Sequence, residues 1–388
     1  MSEEVGGYDA AVIEALEPWE AIRKRPGMYV GSTGERGVYQ MVFDVVGRAV
    51  NEVLAGRAGA VDVTLTPDGG VRVADDGPGV PVEAAGHTGG PSLEALLTHM
   101  PTGAGIGSRH TAVVGMFNVG PCVTNALSSR LTAEVRREGM RWVQEYVRGV
   151  AVTAPVAVGP TAGSGTSLAF QPDPVVFETV ECSFDVLAER LREVALLNRG
   201  LSVSLTDERP ADGPRSVRFH FPGGVRDLVA SLDARSGAPL HADVVGFECE
   251  EPRMEGTVEV ALRWCDTREE RVRTFANSRS TPEGGTHAVG FREGVAAAVD
   301  AYARERQLLT AADPDLTADR IGEGLTAVVS VKLDHPEFEG ATRGRLAGAS
   351  VRSCVAEAVR RHLGAWLDEQ PERAEAVVGR VLRSARRD

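Results

Sequence analysis

Residues 41–54 read MVFDVVGRAVNEVL, and they place a carboxylate and a guanidinium one helical turn apart. The apolar residues Val42, Phe43, Val46, Val50, Val53 and Leu54 recur at the spacing of one buried helical face. Asp44, Arg48, Asn51 and Glu52 then share or flank another face. Asp44 and Arg48 stand i, i+4 with the acid first, the order that favours a helix ion pair. The spacing predicts that these two side chains touch. Two readings of the stretch follow: the solvated face of an ordinary helix, or the wall of an active site whose residues have changed.

The elements that must hold this helix can be read in order. Residues 10–24 carry a helical pattern that ends before Pro26, and RPGMYVGS at 25–32 is a Gly/Pro loop. The opening helix covers about 37–56. AVDVTLTPDGGVRVADDG alternates around the turn Pro67-Asp68-Gly69-Gly70, which predicts a β-hairpin. SLEALLTHM reads as a short helix, 101–121 as a glycine-rich loop, and CVTNALSS as a further helix. Paired strand patterns follow at SRLTAEVRREG, MRWVQEYVRG and AVTAPVAVG, then a strand at GTSLAFQPD and an amphipathic helix at 183–198. LSVSLTDER and RSVRFHFPGG read as strands. From about residue 221 the pattern changes to a helix at GVRDLVASLDA, strands at GTVEVALRWC, EERVRTFANS and GLTAVVSVKL, and two long helices. The sum is an α+β class, with a mostly antiparallel sheet and helices on one side.

Bulk properties narrow the setting. The chain has 388 residues, enough for two domains. Hydrophobic residues make up 43% and charged residues 25%, an ordinary globular balance. No apolar run is long enough to span a membrane, and MSEEVGGYDA does not read as a signal peptide. The five widely spaced cysteines form no CxxC, which argues against a zinc site or disulfide framework and fits a reducing cytoplasm. The net charge of −13 argues against nucleic-acid binding by the whole chain. Lys24 and Lys332 are the only lysines, so a site that needs lysine has almost none to draw on.

Taken together, IRKRPGMYVGST, ADDGPGVP, TNALSS, EGGTHAVGF and EGLTAVVSVK resemble the DNA gyrase B family and its topoisomerase IV counterpart, from Tyr8 to about Arg383. The resemblance implies an ATP-binding α/β sandwich of the Bergerat type, shared with Hsp90, MutL and histidine kinases, over residues 1–220. It implies a transducer domain over 221–388, with a fold like ribosomal protein S5 domain 2. It also implies that the metal-binding domain used in DNA cleavage is absent, so that cleavage is not expected of this chain.

The site residues implied by the resemblance are altered. Asp44 stands where the family has its general-base Glu, and Arg48 where it has the Asn that ligates Mg2+. Asp is one methylene shorter, which retracts the carboxylate by roughly 1.5 Å. A guanidinium has donors and no acceptor, so it cannot ligate a cation. The nucleotide-binding set is then Arg48, Asn51, Asp75, Gly77, Gly79, Gly115, Asn118, Val119, Gly120, Thr166 and Arg343. Asp75 matches the adenine acceptor, with Gly77 and Gly79 allowing close backbone approach and Thr166 supporting it by hydrogen bonding. A plain strand-ending turn is the other reading of this DDGPG. Pro78 replaces a family Arg. The phosphate loop keeps Gly115 and Gly120 around Asn118 and Val119, followed by Pro121, which lacks an N–H. The lid lysine has no counterpart, Arg109 being the nearest cation, and the transducer loop reads Ala341-Thr342-Arg343. ATP is the expected nucleotide, and Mg2+ is not expected to be held.

Tyr8 and Ile13 match a family arm that crosses to a partner protomer, so a homodimer is expected, a disordered terminus being the equal alternative for this segment. Gyrase or topoisomerase subunits and DNA are the further partners implied, DNA through a transducer cavity for which Arg271, Arg273, Arg279 and Arg292 are candidates, solvated surface arginines being the commoner reading of these four. Three functions stay open: a nucleotide-binding module impaired in hydrolysis, an active ATPase paired with a separate DNA-cleaving chain, and an accessory or resistance protein that binds gyrase or its inhibitors.

Overall fold

The structure is a computed structural model that describes residues 16–83, 92–100, 111–114, 119–234, 237–317, 321–340 and 343–385. Tyr8, Ile13, Arg109, Gly115, Asn118, Ala341 and Thr342 lie outside them.

The first unit is one large sheet with helices on one face. Its helices are α1 (Pro18–Lys24), α2 (Gly27–Val30), α3 (Glu35–Leu54), α4 (Leu93–Thr98), α5 (Pro121–Ala126) and α6 (Phe184–Leu197). Its strands are β1 (Ala60–Leu65), β2 (Val71–Asp75), β3 (Ser128–Arg137), β4 (Met140–Val147), β5 (Val150–Ala151), β6 (Val156–Pro160), β7 (Gly165–Pro172), β8 (Ser202–Asp207) and β9 (Arg215–His220). They lie in the order β5-β4-β3-β7-β2-β1-β8-β9, with β6 also on β4. Neighbours are antiparallel except β1 and β8, whose connection runs through the rest of the unit. The predicted hairpin forms with Leu65 opposite Val71. CVTNALSS splits: the helix stops at Ala126, and Ser128 already pairs with β7.

α3 departs most from its sequence pattern. Every residue from Gly37 to Gly47 is buried, followed by Ala49 and Val50. The six apolar positions predict a stripe, but α2, α5, β1 and β2 all pack around this helix. A helix enclosed on all sides carries its polar residues into the core. Asp44 is therefore an interior carboxylate and not part of a solvent face.

The second unit comprises α7 (Val225–Asp233), β10 (Val245–Glu251), β11 (Gly256–Trp264), β12 (Arg271–Ala276), β13 (Arg279–Ser280), α8 (Thr286–Glu305), β14 (Leu325–Leu333), β15 (Phe338–Glu339), β16 (Arg345–Leu346), α9 (Ala349–Glu369) and α10 (Pro371–Ala385). Its main sheet runs β10-β11-β14-β12-β13, with β12 and β14 parallel. α8 and α9 approach closely because Gly290 and Gly294 lack side chains. A Cβ there would lie 2.3 Å from the Arg352 carbonyl oxygen and 2.6 Å from that of Ala356. The edge strand β10 is not evident in the sequence, since VGFECEE carries three acids. Among the described residues, no helix is long and apolar enough to cross a membrane.

The units meet at a shared apolar cluster. Leu196 and Leu197 at the end of α6 join Val225, Leu228 and Val229 of α7 with Ala261, Phe275 and Val328 of the second sheet. Polar ties cross the same junction: the Ser278 hydroxyl donates to Asn198 Oδ1 at 2.9 Å, Arg273 pairs with Glu193, and Val113 N–H donates to the Asn277 carbonyl at 2.8 Å.

Candidate nucleotide site

β2 ends at Asp75, beside Thr166 of β7 in the antiparallel register. The Asp75 carboxylate is buried, and both oxygens are engaged. Oδ1 accepts from the Gly77 N–H at 2.9 Å, and Oδ2 receives the Arg48 guanidinium, which crosses from α3. The side chains are 1% and 10% exposed, so this ion pair is a buried one.

The predicted Asp44–Arg48 pair is thus replaced by Arg48–Asp75. An i, i+4 pair on a helix surface is worth a few tenths of a kcal/mol. A buried carboxylate left without a partner costs several kcal/mol, so compensating Asp75 decides the rotamer. Asp44 is left with one hydrogen bond, from Gln40 Nε2 to its Oδ1 at 2.8 Å, while its Oδ2 has no hydrogen-bond partner. Burial raises its pKa well above the ordinary carboxylate value, against the smaller lowering effect of Gln40. The adjoining Cys122 thiol is likewise pushed up to about 12, chiefly by burial, with Asp44 adding to the rise.

The remaining site residues hold the protein together. Thr166 does not bond Asp75 as expected; its hydroxyl oxygen accepts from the Val80 N–H at 3.0 Å and fixes the loop after β2. Gly77 needs its bare Cα because a Cβ would stand 2.8 Å from Asp75 Oδ1. Gly79 has φ +79°, and a Cβ there would stand 2.6 Å from the Arg136 carbonyl oxygen, so its close approach is to β3. Asn51 Oδ1 accepts from the Ala112 N–H at 2.8 Å. Gly120, at φ +79°, opens α5, and Pro121 takes the first helical position, where a missing N–H costs nothing. The Val119 carbonyl accepts from the Cys122 thiol at 3.4 Å. Arg343 lies among the arginines at the junction of the two units, where its charge acts on Arg279.

One contributor has no place in the sequence reading, and another has a different one. Gln40 holds Asp44 from one turn back on α3, a signal legible as an i−4 donor. Arg279 was assigned to DNA, yet it faces the first unit. Of the other DNA candidates, Arg271 pairs with Glu269 at 2.6 Å, Arg292 with Glu270 at 2.6 Å, and Arg273 with Glu193.

At the position expected to ligate Mg2+, Arg48 offers donors alone, and the nearby Asn51 Oδ1 is engaged with the Ala112 N–H.

The family model for DNA gyrase B matches residues 224–388. Over 394 residues the chain is 42% identical to DNA gyrase B of Streptomyces coelicolor, covering 97% of this chain and 57% of that protein. The 43K ATPase domain of Thermus thermophilus gyrase B, solved in complex with an aminocoumarin, superposes with a TM-score of 0.81 at 32% identity over 95% of both chains. The chain belongs to the DNA gyrase B family. Its fold is that family's ATP-binding sandwich followed by a transducer. It is also 42% identical to the novobiocin-resistant DNA gyrase B of Streptomyces niveus, covering 58% of that protein. The chain thus spans less than two thirds of these gyrase B relatives. Within a gyrase-B-type fold, Asp44, Arg48 and Asn51 of the opening helix hydrogen-bond to the protein itself.

Proposed function

We propose that this chain is a gyrase-B-type ATPase/transducer module impaired in Mg2+-dependent ATP hydrolysis, which acts by binding and dimerising. In this reading residues 1–220 are the ATP-binding domain and 221–388 the transducer. The observation that carries it is the buried Arg48–Asp75 ion pair. A guanidinium on the adenine-acceptor carboxylate competes with the base, and the same residue leaves the metal position without an oxygen ligand. Asp44 adds to the impairment, because burial raises its pKa and so disfavours the ionised form that takes a proton from water. Tyr8 and Ile13 would supply the dimer arm. Full gyrase or topoisomerase subunits are the partners such a module would bind or regulate, with DNA as a further partner.

Calorimetry with ATP and a non-hydrolysable analogue, with and without Mg2+, together with a phosphate-release assay, tests this. Weak binding indifferent to Mg2+ and turnover at background are expected, with tighter binding in Arg48→Asn. Mg2+-dependent turnover abolished by Asp44→Ala would sink the reading.

A second reading rests on a separate observation. An open pocket of about 430 Å3 lies beside the loop after β2, lined by Pro81, Arg137 and Trp142 and outside the Arg48–Asp75 contact. Arg137 Nη1 donates to the Gly79 carbonyl at 2.9 Å, which ties this pocket to the site loop. The Thermus gyrase B domain was solved with an aminocoumarin, and a chain that keeps such a pocket while losing nucleotide chemistry suits an accessory or resistance role. Aminocoumarin binding in a protein that does not bind ATP would favour it.

A further inference from the structure

Two buried polar atoms of α3 lack partners, and their residues stand one helical turn apart. Asp44 Oδ2 and Arg48 Nε are both enclosed and make no hydrogen bond. Residues spaced i, i+4 carry their Cβ atoms about 5–6 Å apart, so a guanidinium reaches an acid four residues back. The Arg48 guanidinium instead meets Asp75 of β2, while Gln40 supplies the hydrogen bond of Asp44. The cation thus has two carboxylates within reach and engages one of them. The elements packed on α3 bring further groups. α5 brings Cys122 to Asp44, and β2 brings Asp75 to Arg48. β1 carries Asp62 on its exposed face, where the Ser204 hydroxyl bonds it, and α2 carries the half-buried Tyr29. On the α6 side, Arg190 lies over the neighbouring Phe43 ring at 5.7 Å and pairs with Glu193. Gln40 also lines a cavity of about 630 Å3 between the two units, with Arg36, Arg190 and Arg279 in the same lining. Arg48, on the same helix and one turn on, is the cation placed to neutralise Asp44.

We propose that Arg48 is a positioning residue that exchanges Asp75 for Asp44 when a nucleobase takes Asp75. This rests on the function proposed above, in which a base competes with Arg48 for that carboxylate, and adds where the displaced cation goes. A guanidinium expelled from a buried ion pair is costly to leave without a counter-ion, and the unpartnered Oδ2 is an acceptor one turn away. Burial raises the pKa of Asp44, so the free protein keeps this proton to a higher pH than an ordinary carboxyl does. An adjoining guanidinium favours the carboxylate and lowers that pKa. On exchange Asp44 therefore ionises, and its proton passes to solvent. Base binding and the loss of a proton become a single event. Cys122 does not supply the proton, because its thiol is pushed up to about 12. The ionised Asp44 is held by Arg48 and is not a free base, so the exchange does not restore hydrolysis.

Titration calorimetry of the full chain with adenosine, in buffers of different ionisation heat, counts the protons released on binding. Adenosine carries the base without phosphates, so phosphate contacts play no part. Measured from about pH 5 upward, above the ordinary carboxylate value, binding should release about one proton and tighten by up to about tenfold per pH unit. Both effects should fade as pH passes the raised pKa of Asp44, where the group is already ionised. Asp44→Asn should bind adenosine with no proton release and with an affinity independent of pH. Arg48→Asn should bind more tightly, again without release, since no cation remains to draw Asp44 into its charged form. If Asp44→Asn fails to fold, Arg48→Asn decides. Binding without proton release across this range, release that persists in either folded variant, or no binding at millimolar adenosine overturns the exchange. Phosphate release from Mg2+-ATP reports separately on the function it rests on. Turnover together with proton release keeps the exchange and overturns impaired hydrolysis, and background turnover without proton release does the reverse.

Discussion

The cleft between α3 and β2 and the cavity between the two units both depend on arginine, but they follow opposite rules. In the first, opposite charges close on each other: Arg48 meets Asp75, and burial raises the pKa of the nearby Asp44. In the second, like charges converge: Arg279 is crowded by Arg343 and Arg190 around an open volume. In the first, both Asp75 oxygens are engaged, while Arg48 Nε and Asp44 Oδ2 have no hydrogen-bond partner. In the second, burial and two like charges weigh against the Arg279 guanidinium, and Glu193 offsets the charge of Arg190. A buried charge is held where a counter-ion meets it directly, and costs most where like charges gather.

The sharpest way to break this contrast is to remove half of the closed pair. Arg48→Ala leaves Asp75 buried without its cation, and a loss of about 3–5 kcal/mol is expected by urea denaturation. The double substitution Arg48→Met with Asp75→Asn should recover most of it, because both charges go together. A loss under about 1 kcal/mol in the single variant would mean that water already reaches the pair, and the contrast would fail. Next in size is Gly79→Ala, where the left-handed backbone costs about 1–2 kcal/mol and the contact with the Arg136 carbonyl adds to it. Gly139→Ala supplies the control: its φ is +76° but nothing lies within 4 Å of the added methyl, so the backbone cost stands alone. Equal losses at both positions would show that the loop after β2 yields.

Much of the fold could be read from periodicity. The hairpin around Asp68-Gly69, the helix at Phe184–Leu197 and the strand at Leu325–Leu333 each carry a pattern that one local interaction dictates. The identity of the site positions was legible too, because Asp44, Arg48 and Asp75 sit in long recognisable stretches. What could not be read was which charge meets which. Arg48 has a carboxylate four residues back in sequence and another 27 residues on, and local spacing favours the first. The second prevails because Asp75 is buried on a neighbouring strand, and burial is a property of the assembled sheet. The same limit hid the cavity. Arg190 and Arg279 belong to separate units, and the packing of Leu196 and Leu197 against α7 and the second sheet, with the polar ties beside it, brings them together.

The smallest effect expected concerns Asp44 and depends on pH. Burial raises its folded-state pKa, whereas in the unfolded chain it titrates near the ordinary value of about 3.9. Below that value both states are protonated, and the group does not affect folding. As pH rises, the unfolded chain releases the proton while the folded protein keeps it, so stability falls until the raised folded pKa is passed. Asp44→Asn cannot ionise in either state and escapes this loss. The substituted amide still carries a buried atom opposite the unpartnered Oδ2 position, which offsets part of the gain and keeps the net change small. Urea denaturation at pH 4 and pH 7 should therefore show the variant close to the parent chain at the lower pH and more stable at the higher one. A variant that is less stable at pH 7 would mean that Asp44 is ionised and well partnered when folded. It would then be available as a base, and the closed cleft would still hold one working group of an ATPase.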